Sequence, residues 1–209
     1  MPMPIARDAP IDTNPSVTFG AFTQIAKLTA PMRLLWAQIL QQTPYARLVV
    51  AGVADERARA TLLEALALDG VHPSRVVLLP FMPVQDYLRS LGNVDIALDT
   101  SPYSGGTTTC DALWMGVPVL TMPGSRSTSR SAASILTTMG LTDWIATSPE
   151  DYVRRAVQFA SERETIVGLR RSLRERMRAS PLMQEAQFAR DMEQAYREMW
   201  HRWCPGGRL

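Results

Sequence analysis

Lysine is nearly absent from this chain. Of its 22 basic residues all but Lys27 are arginine. Codon usage alone accounts for such a bias, so the informative point is the one position where a lysine persists. Histidine is scarce too: His72 and His201 have no partner at ligand spacing, which argues against a zinc site. Cys110 and Cys204 lie far apart with no CxxC spacing, so neither a disulfide framework nor a cysteine-based metal site is expected. No run approaches the roughly 18 apolar residues of a membrane span. The first residues, MPMPIARDAPIDTNPS, lack an apolar core and do not read as a signal peptide. A net charge of +2 is too small to point to nucleic acid or an anionic membrane. There is no GxSxG, no Ser/His/Asp arrangement and no Cys–His pair to suggest nucleophilic catalysis. These absences leave a cytoplasmic protein with neither nucleic acid nor membrane as partner.

What is present is globular in kind. The 209 residues are 46% hydrophobic and 20% charged, enough to bury a core as one large domain or two small ones. Residues 1–16 carry four prolines and read as a flexible lead-in. From residue 17 to 162, apolar strand runs (VTFGAF, ARLVVAGV, RVVLLPF, DIALDT, VPVLTMP, DWIA) alternate with amphipathic helical runs over short connections. That alternation predicts a Rossmann-like α/β domain, a parallel sheet flanked by helices. Residues 163–209 read as helices broken at Ser180-Pro181, packing on that domain or on another lobe. Phe188, Met192, Tyr196, Met199 and Trp203 form an apolar stripe along the last one. The arginines at 154, 155, 170, 171, 174, 176 and 178 interleave with glutamates, as on a solvated face. Trp114 is expected in the core beneath the sheet.

In parallel sheets of this kind ligands bind beyond the carboxyl ends of the strands, in loops leading into helices. Two such loops carry unusual chemistry. One is PYSGGTTTCDALW, in which Gly105, Gly106, Thr107, Thr108 and Thr109 run into a helix. A helix N-terminus presents unpaired N–H groups and partial positive charge, and glycines let an anion come close. An ordinary threonine cap after a glycine turn accounts for the same residues. Asp111, one turn further, complements the helix dipole or accepts hydrogen bonds from a ribose. The other loop, FTQIAKLT, places Lys27 just past a strand, where its point charge could track a phosphate or simply be solvated. Tyr87, after FMPVQD, offers a ring that could stack on a base or pack in the core.

Five separated blocks carry a resemblance: FGAFTQIAKLT, RVVLLPFMPVQDYL, VDIALDTSPYSGGTTTCDALWMGVPVLTMPG, SRSAASILTTMGL and SPLMQEAQFARDMEQAYREMW. Over about residues 17–203 the chain resembles the C-terminal half of the O-linked N-acetylglucosamine transferase family, especially its SPINDLY-like members. The resemblance implies the C-terminal lobe of a GT-B glycosyltransferase, with a sugar nucleotide in the cleft between two lobes. It implies that Gln24 and Lys27 meet the donor, with Lys27 neutralising the diphosphate. A His-Thr-Thr run of the family falls on Gly106, Thr107 and Thr108, so the histidine is replaced by glycine. Asp111 would hold the ribose. Backbone near Met82 would read the base, Tyr87 stands where animal members carry a stacking histidine, and Val84 replaces a ribose-contacting lysine.

The implied function is the donor-binding lobe of a protein O-glycosyltransferase. It moves N-acetylglucosamine from UDP-GlcNAc to Ser or Thr of an acceptor protein and uses no metal or other cofactor. The alternatives are a protein O-fucosyltransferase using GDP-fucose, a nucleotide-binding or interaction module without activity of its own, and another GT-B transferase or a nucleotide-sugar epimerase. A separate N-terminal lobe, or self-association through 183–203, is the expected cover for the apolar stripe.

Overall fold

The structure is a computed structural model that describes residues 9–14 and 16–204. Its centre is a parallel sheet of β1 (Thr18–Phe22), β2 (Arg47–Ala51), β3 (Val76–Leu79), β4 (Ile96–Leu98) and β5 (Val119–Leu120). The strand order is β3-β2-β1-β4-β5. Phe19, Leu48, Val50, Ile96, Leu98 and Leu120 are all buried, as expected of strands covered on both faces. Helices α2 (Ala30–Gln42), α3 (Glu56–Leu68), α4 (Val84–Gly92), α5 (Thr107–Trp114), α6 (Ser131–Thr138) and α7 (Pro149–Ser161) connect or follow the strands.

The helix boundaries follow from local chemistry. Thr29 caps α2 by accepting from the Met32 N–H, Asp55 caps α3 through Ala58, and Ser148 caps α7 through Asp151. Gly70 stops α3 at φ +84°, a conformation that costs glycine little. Helix α8 (Arg163–Ala179) buries Ile166, Leu173 and Met177 against the body, whereas α9 (Glu185–Trp203) buries no residue.

Several expectations are corrected. The lead-in is not loose where it is described. Pro10–Thr13 form a helical turn, α1, with Ile11 buried. Asp95 holds it, accepting from the N–H of Ile11 at 2.9 Å and of Thr18 at 2.8 Å. Residues 1–8 and 15 lie outside the described residues. DWIA is not a strand. Thr142–Trp144 form a 3-10 turn, because Trp144 turns inward to stack on Phe159 at 4.0 Å, leaving one bridge between Thr121 and Ile145. Trp114 is half-buried on the outer side of α5, beneath the guanidinium groups of Arg174 and Arg178. The arginine-rich face is solvated only in part. Arg170 and Arg174 are buried, their side chains reaching backbone carbonyls of Gly92, Val94 and Trp114.

Candidate functional site

The strand order reverses between β1 and β4, so the loops that leave these two strands diverge and open a crevice at their carboxyl ends. The β1 loop carries Gln24 and a 3-10 turn, Ile25–Lys27, that lifts Lys27 to the rim. The β3 loop contributes Phe81 and Met82 and leads into α4 with Val84 and Tyr87. The β4 loop runs from Asp99 to Gly106 and ends at α5.

Two hollows share this rim. The first, of about 250 Å³, is lined by Phe22, Gln24, Lys27, Phe81, Met82, Val84, Tyr87 and Thr108, among others. The second, of about 310 Å³, is lined by Lys27, Tyr103, Ser104, Gly106, Thr107, Thr108, Thr128 and Ser131. Lys27 and Thr108 therefore stand at the junction of both. The first hollow is aromatic and apolar with a few polar edges. The second is lined mostly by hydroxyl groups and is fed by two helix N-termini, α5 and α6. The Lys27 ammonium lies 4.4 Å from the centre of the Tyr103 ring, a cation–π contact.

The Gly/Thr run divides its labour. Gly105 donates its N–H to Asp99 Oδ1 at 2.7 Å, so that donor is occupied. A Cβ at Gly105 would come within 2.6 Å of Thr108 Oγ1 and 2.7 Å of Thr109 Oγ1, so the turn admits no side chain there. At Gly106 a Cβ would meet nothing within 4 Å, so this glycine leaves open space on the hollow side. Thr107 is exposed and Thr108 partly so, but Thr109 is buried, lines a small niche between β1 and β4, and faces neither hollow.

Asp111 lines neither hollow. Its Oδ2 accepts from the Tyr87 hydroxyl at 3.1 Å, and burial raises its carboxyl above the usual aspartate value. Burial, and next the Asp111 charge, push the Tyr87 hydroxyl upward as well. The Tyr87 ring packs edge-on against Phe22 at 5.8 Å, forming a wall of the first hollow. Among the described residues, no group of three or more His, Cys, Asp or Glu is placed to hold a metal ion. No described helix is long and apolar enough to cross a membrane.

The structure thus gathers Gln24, Lys27, Met82, Val84, Tyr87, Gly106, Thr107 and Thr108 around the two hollows. Gly105, Thr109 and Asp111 sit behind them. Sequence reasoning missed Phe22, Phe81, Tyr103 and Asp99. The two phenylalanines end apolar strand runs and read as core. Asp99 had a usable signal, an acidic residue closing an apolar strand six residues before a double glycine.

A parallel sheet in this order, with a crevice at its switch point and a helical tail, is built like one lobe of a GT-B glycosyltransferase. The chain belongs to glycosyl transferase family 41, whose profile matches residues 7–192. It is 42% identical over 201 residues to a probable UDP-N-acetylglucosamine–peptide N-acetylglucosaminyltransferase SPINDLY of Solanum lycopersicum, covering 95% of this chain and 22% of that protein. It superposes on an O-GlcNAc transferase mutant of Thermobaculum terrenum with a TM-score of 0.85 and 36% identity, over 90% of this chain and 37% of the other. The C-terminal domain of a group 1 glycosyl transferase from Francisella tularensis shares the fold, with a TM-score of 0.60 at 14% identity, over 78% of this chain and 85% of that one. The chain spans about a fifth of the length of the curated relatives it matches.

Proposed function

We propose that this chain is the donor-binding lobe of a protein O-glycosyltransferase that takes N-acetylglucosamine from UDP-GlcNAc to a Ser or Thr hydroxyl. The observation that carries the reading is the shared position of Lys27 and Thr108 between an aromatic hollow and a hydroxyl-lined one. A nucleotide sugar has the matching order of parts: a flat base, a doubly charged diphosphate and a polyhydroxylated ring. The base would lie against Phe22, Phe81 and Tyr87, the diphosphate at Lys27 and the α5 N-terminus, and the sugar towards Tyr103 and Thr107. Gln24 would reach the donor from the β1 loop. Met82 and Val84 would edge the nucleoside, and Asp111 would approach the ribose through its bond with Tyr87.

In the reaction an acceptor hydroxyl attacks the anomeric carbon as the bond to the diphosphate breaks, inverting that centre, and the hydroxyl proton is released to solvent. The leaving diphosphate gains negative charge. Lys27 and the unpaired N–H groups at the start of α5 are fixed in place before that charge develops, the condition under which electrostatic stabilisation is most effective.

Titrating UDP, GDP, UDP-GlcNAc and GDP-fucose against the wild type, Lys27→Ala and Lys27→Arg tests this. A charge-assisted phosphate contact is worth about 1.5–3 kcal/mol. Lys27→Ala is therefore expected to weaken diphosphate binding about 10- to 100-fold, with partial recovery in Lys27→Arg. Undiminished affinity in Lys27→Ala would remove Lys27 from the role. The same titration ranks uracil against guanine donors and so decides between the N-acetylglucosamine and fucose readings.

A further inference from the structure

Asp99 is a carboxylate at the heart of the crevice that the proposed donor chemistry leaves without a task. It follows β4 and is held from several sides. Its N–H donates to the Leu120 carbonyl, and its own carbonyl accepts from the Tyr152 hydroxyl on α7 at 2.9 Å. Its two carboxylate oxygens face different elements. Oδ1 accepts from the Gly105 N–H at 2.7 Å, and Oδ2 accepts from Thr121 Oγ1, just beyond β5, at 2.6 Å. Asp99 thereby pulls the double-glycine turn down onto the sheet edge. The crowding of Gly105 against Thr108 and Thr109 records how tightly it does so. Because Thr108 stands at the junction of both hollows, this bond sets where the α5 N-terminus meets a ligand.

We propose that Asp99 is a positioning residue for the donor: it ties the phosphate-facing turn to β5 and takes up a proton when a nucleotide sugar binds. The inference rests on the donor reading above. The charged and titratable groups that act on Asp99 are Lys27 on the β1 loop and Tyr152 on α7. Only Lys27 is a cation, and the incoming diphosphate would engage it. Burial pushes the Asp99 carboxyl up to about 6, against the lowering effect of Thr121, Gly105, Thr100 and Lys27. Two added negative charges nearby push it further in the same direction. Protonation does not break the clamp. The acid donates to Thr121 Oγ1, whose hydroxyl can turn to accept, while the other oxygen still accepts from Gly105. Asparagine has the same donor and acceptor arrangement without the charge.

Calorimetric titration of UDP-GlcNAc and GDP-fucose from pH 5.5 to 8, in buffers of different ionisation heat, reads this directly. The diphosphate diester of a nucleotide sugar keeps its charge over that range, and neither His72 nor His201 lines either hollow. Wild-type affinity is expected to rise about tenfold from pH 8 to 5.5, with net proton uptake, the effect of about one unit of further shift. Asp99→Asn at pH 8 should match the wild type at pH 5.5 and show no pH dependence. Asp99→Ala should bind more weakly at every pH, because the Gly105 N–H loses its acceptor. A flat wild-type profile without proton uptake overturns the inference while leaving the donor reading intact, and so does a wild-type profile retained by Asp99→Asn. Failure of both nucleotide sugars to bind at any pH overturns the donor reading and this inference together. The wild-type measurement stands even where a variant fails to fold.

Discussion

Arg170 is a cation enclosed by protein. It is 1% exposed, and its guanidinium donates to the carbonyls of Gly92 and Val94, the end of α4 and the approach to β4. Those carbonyls have no helical partner of their own, and a positive charge at a helix C-terminus is favourable. Burial lowers the arginine from its ordinary value, and the nearby Asp95 charge opposes that. Arg170→Met keeps the stem but strands the carbonyls and leaves Asp95 less compensated. We expect a loss of about 2–4 kcal/mol in urea unfolding. A change below about 0.5 kcal/mol, the scale of ordinary surface substitutions, would show that the carbonyls find other partners. Arg170 was illegible in the sequence because its neighbours along α8 alternate in charge like any solvated helix, while its partners lie on another helix and a loop. Asp99 did leave a local trace, an acid closing an apolar strand, but its partners Gly105 and Thr121 lie in two separate loops, so its role as a tie between them was not legible. Lys27 and the Gly/Thr run were legible because their signal is local, a rare residue type in one loop and a cluster of small residues in the other.

At the scale of elements, apolar periodicity and caps predicted the alternation of strands and helices, since both depend on residues a few positions apart. They failed where a distant contact decides. Asp95 orders α1 from the far side of the sheet, and Phe159 draws Trp144 out of a strand. The tail separates into two elements of opposite character. Helix α8 belongs to the core. Helix α9 leaves Phe188, Tyr196, Trp200 and Trp203 exposed and buries no residue. A helix that buries nothing contributes little to the stability of the body it leaves. Ending the chain after Gln184 is therefore expected to shift the melting temperature by less than about 4 °C, corresponding to less than about 1 kcal/mol. A larger drop in a thermal melt would mean that α9 packs on the body in solution.

For the whole molecule, buried carboxylates set how stability varies with pH. The carboxyls of Asp99, Asp95 and Asp111 are all raised, in each case mainly by burial. Folded chains then hold more protons than unfolded ones between about pH 4 and 6, so stability falls as pH rises through that window. Asp151 has the opposite sign. Hydrogen bonds from Thr147, Arg155 and Arg154 lower it despite burial, and its contribution is lost only as pH falls below the usual aspartate range. The two effects together predict a melting temperature a few degrees higher at pH 5 than at pH 8, with part of the difference gone in Asp99→Asn. Equal melting temperatures at the two pH values would contradict the raised carboxyls.

The position of β1 in the middle of the sheet makes it the seam between strands β2 and β3 on one side and β4 and β5 on the other. Strand β1 pairs with β2 from Thr18 to Phe22, but with β4 only through Phe19 and Gly20. As the chain grows from its N-terminal end, the half of the sheet that carries Lys27 and the aromatic hollow can assemble first. Thr108 and the hydroxyl-lined hollow arrive later, across the seam between β1 and β4. A ligand spanning both hollows would be a fastener across the last-made joint, stabilising the native chain where its two halves meet.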